Sequence, residues 1–203
     1  MKKNQQGFTL VEVLIALALG LIIIGGAFSY FLSTLKTSKD LLSQSKLQQE
    51  VRSTSNLIQR DIRRSGYAPV GHTDEALVKT IYLGKTDSSL PDYNCVIYRY
   101  IDERGNLRNS GFLLNTDGRI YMKTSGNTNN TCAVNTDWTA VTAATAVRYT
   151  QFKLGLFNIN TNRPSIQVEA NAELSSDTTV KLPQNLRIVL PNSPLKGDAV
   201  NGS

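Results

Sequence analysis

From Val13 to Leu35 the chain carries no charged side chain. An apolar run of that length is long enough to cross a bilayer as a helix, and it constrains everything that follows. One carboxylate, Glu12, stands at its head, behind a short leader that holds Lys2, Lys3 and Gly7. A carboxylate placed in hydrocarbon costs about 3 kcal/mol or more, so an acid at this position needs a partner. The available partner is an amine. If the chain were cut after Gly7, the new α-amino group would belong to Phe8, four residues before Glu12. On a helix that spacing is one turn, which would let the Glu12 carboxylate of one chain meet the Phe8 amine of another. No other use for Glu12 is evident in the sequence. An ordinary secretory signal has an apolar core of about 7 to 15 residues before a small-residue cleavage site. This run is longer, although Gly25-Gly26-Ala27 offers such a site. A plain membrane anchor would have no need of Glu12.

The stretch Gly7-Phe8-Thr9-Leu10-Val11-Glu12 behind a short basic leader resembles the class III signal of type IV prepilins and of type II secretion pseudopilins. The resemblance implies cleavage between Gly7 and Phe8 by a membrane prepilin peptidase, N-methylation of Phe8, and Glu12 as the assembly carboxylate. It also implies other minor and major pilins and an inner-membrane pilus assembly platform as partners, with no cofactor.

With 203 residues, one domain behind an anchor is the natural division. The formal charge is +6; without Lys2 and Lys3, 20 basic side chains face 16 acidic ones, a surplus of four. That surplus is mild and does not demand nucleic acid as a partner. The leader lysines stay cytoplasmic, so the remainder is expected in the periplasm of a Gram-negative cell. Cys95 and Cys132 suit an oxidising compartment and either close one disulfide or remain two thiols. A zinc site is disfavoured, because there is one histidine and the spacing fits no zinc pattern.

Past Leu35 polarity rises while the helical period persists. Leu47, Val51, Ile58 and Ile62 recur at three- and four-residue steps, with Leu42 and Leu57 broadening the stripe. The helix is expected to run on until Gly66 and Pro69 stop it, about 85 Å in all. Gly20, Gly25 and Gly26 either allow close helix packing or are simply tolerated in lipid. Major pilins carry a helix-breaking proline in this region; this chain has none before Pro69. The expected divisions are a leader at 1–7, a transmembrane and assembly half at 8–35, an amphipathic half at 36–66, and a β-rich domain at 67–203.

The segment Leu57-Ile58-Gln59-Arg60-Asp61-Ile62-Arg63-Arg64-Ser65-Gly66-Tyr67 is similar to the one that follows the long helix in PilW-type minor pilins, and the J-type pseudopilins share part of it. Read without that likeness, Arg60, Arg63 and Arg64 complement a helix C-terminus; a DNA or partner contact is the sharper alternative.

After Pro69 the pattern turns to strands: 76–83, 95–101, 107–114, 119–123, 146–157, 165–174 and 185–190, separated by Gly-, Asn- and Asp-rich turns. Residues 125–137 form a polar loop pinned by Cys132, and 191–203 are expected to fray. The class is α+β, a long N-terminal helix packed on a C-terminal antiparallel β-sheet domain, as in the type IV pilin fold. Members of the resembled family often place a disulfide near the C-terminus; here both cysteines lie mid-domain.

No catalytic constellation stands out. His72 lies in a turn-like Pro-Val-Gly-His-Thr-Asp, and Asp102-Glu103 and Asp117-Gly118 follow turn chemistry rather than a calcium loop. Two functions from one structural class fit: a PilW-type minor pilin needed for pilus assembly or priming, and a J-type pseudopilin of a type II secretion system. A signal-anchored periplasmic binding or enzymatic domain is the alternative of another class.

Overall fold

The structure, a computed structural model, describes residues 9–71, 81–125, 129–143, 147–158 and 163–192. Helix α1 covers Leu10–Ile62, and the chain divides into two compact units within it, Met1–Ser45 and Lys46–Ser203.

In the first unit the described residues of α1 are almost all exposed. Its most apolar window of 18 residues has a mean hydropathy of 2.6 and is 0% buried. Leu10, Ile22, Ile23, Phe28 and Phe31 are all more than half exposed. By length and composition this helix can cross a membrane.

In the second unit the amphipathic stripe decides the packing. Leu47, Val51, Thr54, Ile58, Asp61 and Ile62 are the buried residues of α1, at three- and four-residue steps along one face. Leu42, expected on the same stripe, is 72% exposed because it precedes the domain-forming part of the helix. The helix ends at Ile62 in a turn closed by Gly66, whose φ of 75° suits the left-handed C-terminal cap.

Among the described residues eight strands follow: β1 (Ile81–Gly84), β2 (Cys95–Ile101), β3 (Leu107–Leu114), β4 (Ile120–Ser125), β5 (Trp138–Ala140), β6 (Val147–Phe157), β7 (Ser165–Leu174) and β8 (Asp177–Val189). They form two antiparallel sheets rather than one, β1-β2-β3-β4-β5 and β6-β7-β8, each in chain order. The sheets meet through main-chain bonds: the Leu154 N–H donates to the Tyr93 carbonyl at 2.9 Å and the Tyr149 N–H to the Gly118 carbonyl at 2.8 Å. One core joins Leu47, Val51, Ile58 and Ile62 of the helix to Val96, Tyr98 and Phe112 of the first sheet and to Val147, Phe152, Ile166 and Val168 of the second. A smaller cluster, Cys95, Ile97, Leu113, Cys132 and Trp138, fills the far side of the first sheet.

β5 was not expected, being three residues long. β8 begins at Asp177 rather than near 185 and runs through Pro183. Proline is tolerated there because β8 is an edge strand: among the described residues it pairs with β7 alone. The 76–80 part of the expected first strand, His72, and 193–203 lie outside the described residues.

Candidate functional site: the capped apolar helix and its anchor on the sheet

Gly7 and Phe8 lie outside the described residues; the first described group at the N-terminus is Thr9. Thr9 is the N-cap of α1. Its carbonyl receives the Val13 N–H at 3.3 Å and the Glu12 N–H at 3.1 Å, and its Oγ1 receives the same Glu12 N–H at 3.3 Å. Glu12 is therefore the third helical residue in a Thr-x-x-Glu pattern, half of a capping box, with its charge at the positive end of the helix dipole. The sequence alone already held this signal, and it gives Glu12 a local role beside any role toward a second chain.

At the other end of α1 the sequence reading missed the residue that matters. Asp61 is 5% exposed. Its Oδ2 accepts the Tyr98 hydroxyl at 2.5 Å and the Ser110 hydroxyl at 2.6 Å, which fastens the last helical turn to β2 and β3. Burial, with the Asp61 charge added, pushes the Tyr98 hydroxyl well above its ordinary pKa. The signal available was position: Asp61 falls at the same three-residue step after Ile58 that places Thr54 after Val51.

The three helix-end arginines are exposed but do not act as a set. Arg64 stacks its guanidinium 4.3 Å from the centre of the Tyr100 ring and reaches Asp61 Oδ1 at 3.5 Å. Beside it a cleft of about 300 Å³ is lined by Arg64, Tyr100, Asp102, Arg108, Ser110 and Thr124. Arg108 donates from Nε to Asp102 Oδ2 at 2.8 Å, and Asp102 also accepts the main-chain N–H groups of Arg104 and Asn106. Those hydrogen bonds, the Asn106 N–H foremost, hold the Asp102 carboxyl down to about 2. Each arginine of this cleft is thus matched by a carboxylate, a charge-balanced arrangement suited to structure. Asp117 likewise closes its own turn, accepting the Arg119 N–H and the Tyr121 hydroxyl.

On the far side of the first sheet Cys95 and Cys132 are joined by a disulfide. Gly84, opposite Cys95 in the ladder, makes room for it: a Cβ there would lie 2.6 Å from Cys132 Sγ. Two buried cations fasten the same loop. Lys123 Nζ donates to the Asn129 carbonyl and Arg99 to Asn130 Oδ1 at 3.0 Å, and burial lowers the pKa of both. Among the described residues no group of three or more His, Cys, Asp or Glu is placed to hold a metal ion.

Residues 2–28 match the prokaryotic N-terminal methylation motif, and residues 40–190 match the family described as prepilin peptidase-dependent protein B. A pilin-like protein PilA3 from Thermus thermophilus is 34% identical over 62 residues, which are 30% of this chain and 27% of that relative. The chain thus matches only about a quarter of that relative's length. No solved structure matches. The methylation motif covers the start of α1, the second match covers the helix-on-sheets domain, and together they make this chain a member of the prepilin peptidase-dependent protein B family, a type IV pilin-like protein.

Proposed function

We propose that the chain is a minor pilin of the PilW type, a non-enzymatic subunit required to assemble or prime a type IV pilus. On this reading a prepilin peptidase removes residues 1–7, Phe8 is N-methylated, and the subunit waits in the inner membrane with residues 67–203 in the periplasm. The assembly platform then extracts it, and its helix packs among those of major and other minor pilins in the fibre or at its tip. The observation that carries the reading is the apolar span of α1, none of it buried, that begins directly after Glu12, whose main-chain N–H is capped by Thr9. Such a surface is stable only in lipid or against similar helices.

Replacing Glu12 by Ala is expected to leave cleavage and export intact and to remove the subunit from sheared fibres. Normal incorporation of that variant refutes the assembly role. Mass spectrometry of the mature protein is expected to give Phe8 as its first residue, and Gly7 replacement to abolish the cut. Loss of exoprotein secretion with normal piliation in a deletion strain would instead assign the chain to a type II secretion system, as a J-type pseudopilin.

A further inference from the structure

The cleft lined by Arg64 and Arg108 is balanced in charge but not in hydrogen bonds. Asp102 puts Oδ1 on the main-chain N–H groups of Arg104 and Asn106, at 3.0 and 2.8 Å, and Oδ2 on Arg108 Nε at 2.8 Å. Asp61 gives Oδ2 to the Tyr98 and Ser110 hydroxyls and meets Arg64 only through Oδ1, at 3.5 Å. Both acids are thus engaged and deep, with side chains 14% and 7% exposed, while the side chains of Arg108 and Arg64 are 47% and 50% exposed. A guanidinium carries five N–H donors. Arg108 uses Nε and Arg64 a long contact from Nη1, and among the described residues their remaining nitrogens have no partner. The cleft therefore holds a surplus of charged donors.

These two arginines differ from an ordinary solvated one because they are already held. Arg64 rests 4.3 Å from the centre of the Tyr100 ring, Tyr100 stands directly opposite Arg108 in the β2–β3 ladder, and Asp102 fixes Arg108. A ligand would not have to order either side chain, which removes a large part of the entropy loss on binding. A second cleft of about 270 Å³, lined by Arg63, Tyr67 and Glu103, shares Arg64 and Asp102 with the first, so the two form one trough across the end of α1. Two joined clefts have room for more than one side chain. Glu103, exposed in the second cleft, opposes a polymer that carries a negative charge at every step, such as a nucleic acid.

We propose that this trough is a docking site for an extended acidic segment of a partner protein, one carboxylate of which enters the cleft lined by Arg64 and Arg108. The carboxylate accepts from the two Nη groups of Arg108 end on and from the open edge of Arg64, the paired geometry that a planar guanidinium favours. The proposal goes beyond the pilin reading and does not depend on the apolar span of α1.

The test uses the full chain in micelles of an uncharged detergent and rhodamine-labelled hexaglutamate, read by fluorescence anisotropy, with hexaglutamine and oligothymidylate as comparison probes. Hexaglutamate is expected to bind and hexaglutamine not to. Arg108→Lys keeps the charge and loses the planar fork, and is expected to weaken binding by about fivefold or more. Thr124→Glu places a carboxylate of the chain itself in the cleft and is expected to abolish binding. Arg60→Gln, at an exposed arginine that lines neither cleft, is expected to change it by less than about twofold. Thermal unfolding of the same samples reports whether each variant is folded; should Arg108→Lys not fold, Thr124→Glu decides. No binding up to about 1 mM hexaglutamate overturns the proposal. So does an equal loss in Arg60→Gln and Arg108→Lys, which would mean diffuse attraction by charge, or undiminished binding to folded Thr124→Glu. Tighter binding of oligothymidylate, lost in the same variants, overturns it in favour of a nucleic acid.

Discussion

The Tyr98 hydroxyl donates to Asp61 Oδ2 at 2.5 Å across the interface between the end of α1 and β2, with both residues buried. Ser110 donates to the same oxygen at 2.6 Å. A buried carboxylate that collects two hydroxyls is a directional fastener in an interface otherwise made of aliphatic and aromatic packing, and it selects one rotation of the helix end over the sheets. Replacing Asp61 by Ala leaves the buried Tyr98 hydroxyl without its acceptor, while the Ser110 hydroxyl keeps the Lys123 carbonyl at 3.2 Å, and is expected to destabilise the domain by about 2 kcal/mol. Tyr98→Phe removes one donor and is expected to cost about 1 to 2 kcal/mol. Urea unfolding of the purified protein measures both. The raised Tyr98 pKa also sets a pH window. A group whose folded pKa exceeds its unfolded one stabilises fully below the unfolded value, about 10, and less as pH rises through the folded value. Stability is therefore expected to fall above about pH 10, and Tyr98→Phe to flatten that fall.

The disulfide and Gly84 are expected to be coupled. Opening the Cys95–Cys132 bond, which spans 37 residues, should destabilise by about 3 to 4 kcal/mol on the chain-entropy account. Gly84→Ala forces a methyl toward Cys132 Sγ and the Tyr82 ring, at 2.6 and 2.8 Å before relaxation. Because Cys132→Ala removes the sulfur, Gly84→Ala should be less damaging in that background. A double-mutant cycle by thermal unfolding reads the coupling, and simple additivity would contradict the contact.

Asp102 gives the domain an acid-side dependence. Its folded carboxyl titrates near 2, below the ordinary value of about 3.9, so its contribution is present above the ordinary value and is lost as pH falls toward 2. Asp102→Asn keeps an oxygen for the Arg104 and Asn106 N–H groups but loses the charge facing Arg108. The variant should be less stable at neutral pH and converge on the original protein near pH 2, as followed by circular dichroism during acid titration.

Pro183 is expected to protect the edge of the second sheet. The Leu190 N–H bonds to the Pro164 carbonyl, in the same register that sets Asn171 against Pro183. Even-numbered residues of this stretch of β8 therefore bond toward β7, and odd-numbered ones, Pro183 among them, face outward. A proline there leaves a gap in the row of donors that another strand would need. Pro183→Val should leave folding intact and increase self-association, measured by light scattering of the solubilised protein.

Much of this architecture could be read directly, and the rest was hidden for physical reasons. The β2 and β3 boundaries and the burial of Leu47, Val51, Ile58 and Ile62 follow from alternation and helical period, which local sequence expresses well. Leu42 misled because period alone does not say where a domain starts. β8 extends back through Pro183 to Asp177, beyond the expected 185–190, and only its place at a sheet edge makes a proline within it tolerable. β5 is three residues long, too short for alternation to register. Asp61 was hidden by its charge: a carboxylate among arginines at a helix end reads as solvated, and only the register of β2 and β3 places Tyr98 and Ser110 side by side beneath it. At the N-terminus the Thr9-to-Glu12 spacing is a capping pattern legible in the sequence itself.

The Cys95–Cys132 bond encloses β3, β4 and the two tight turns at 102–106 and 115–118 in one covalent ring. A protease that clips either exposed turn would therefore open the ring without releasing a piece, and the nicked subunit would migrate intact on a gel until thiol is added. A cut in either turn would leave the helix-bearing part of the chain covalently tied to the strands that follow.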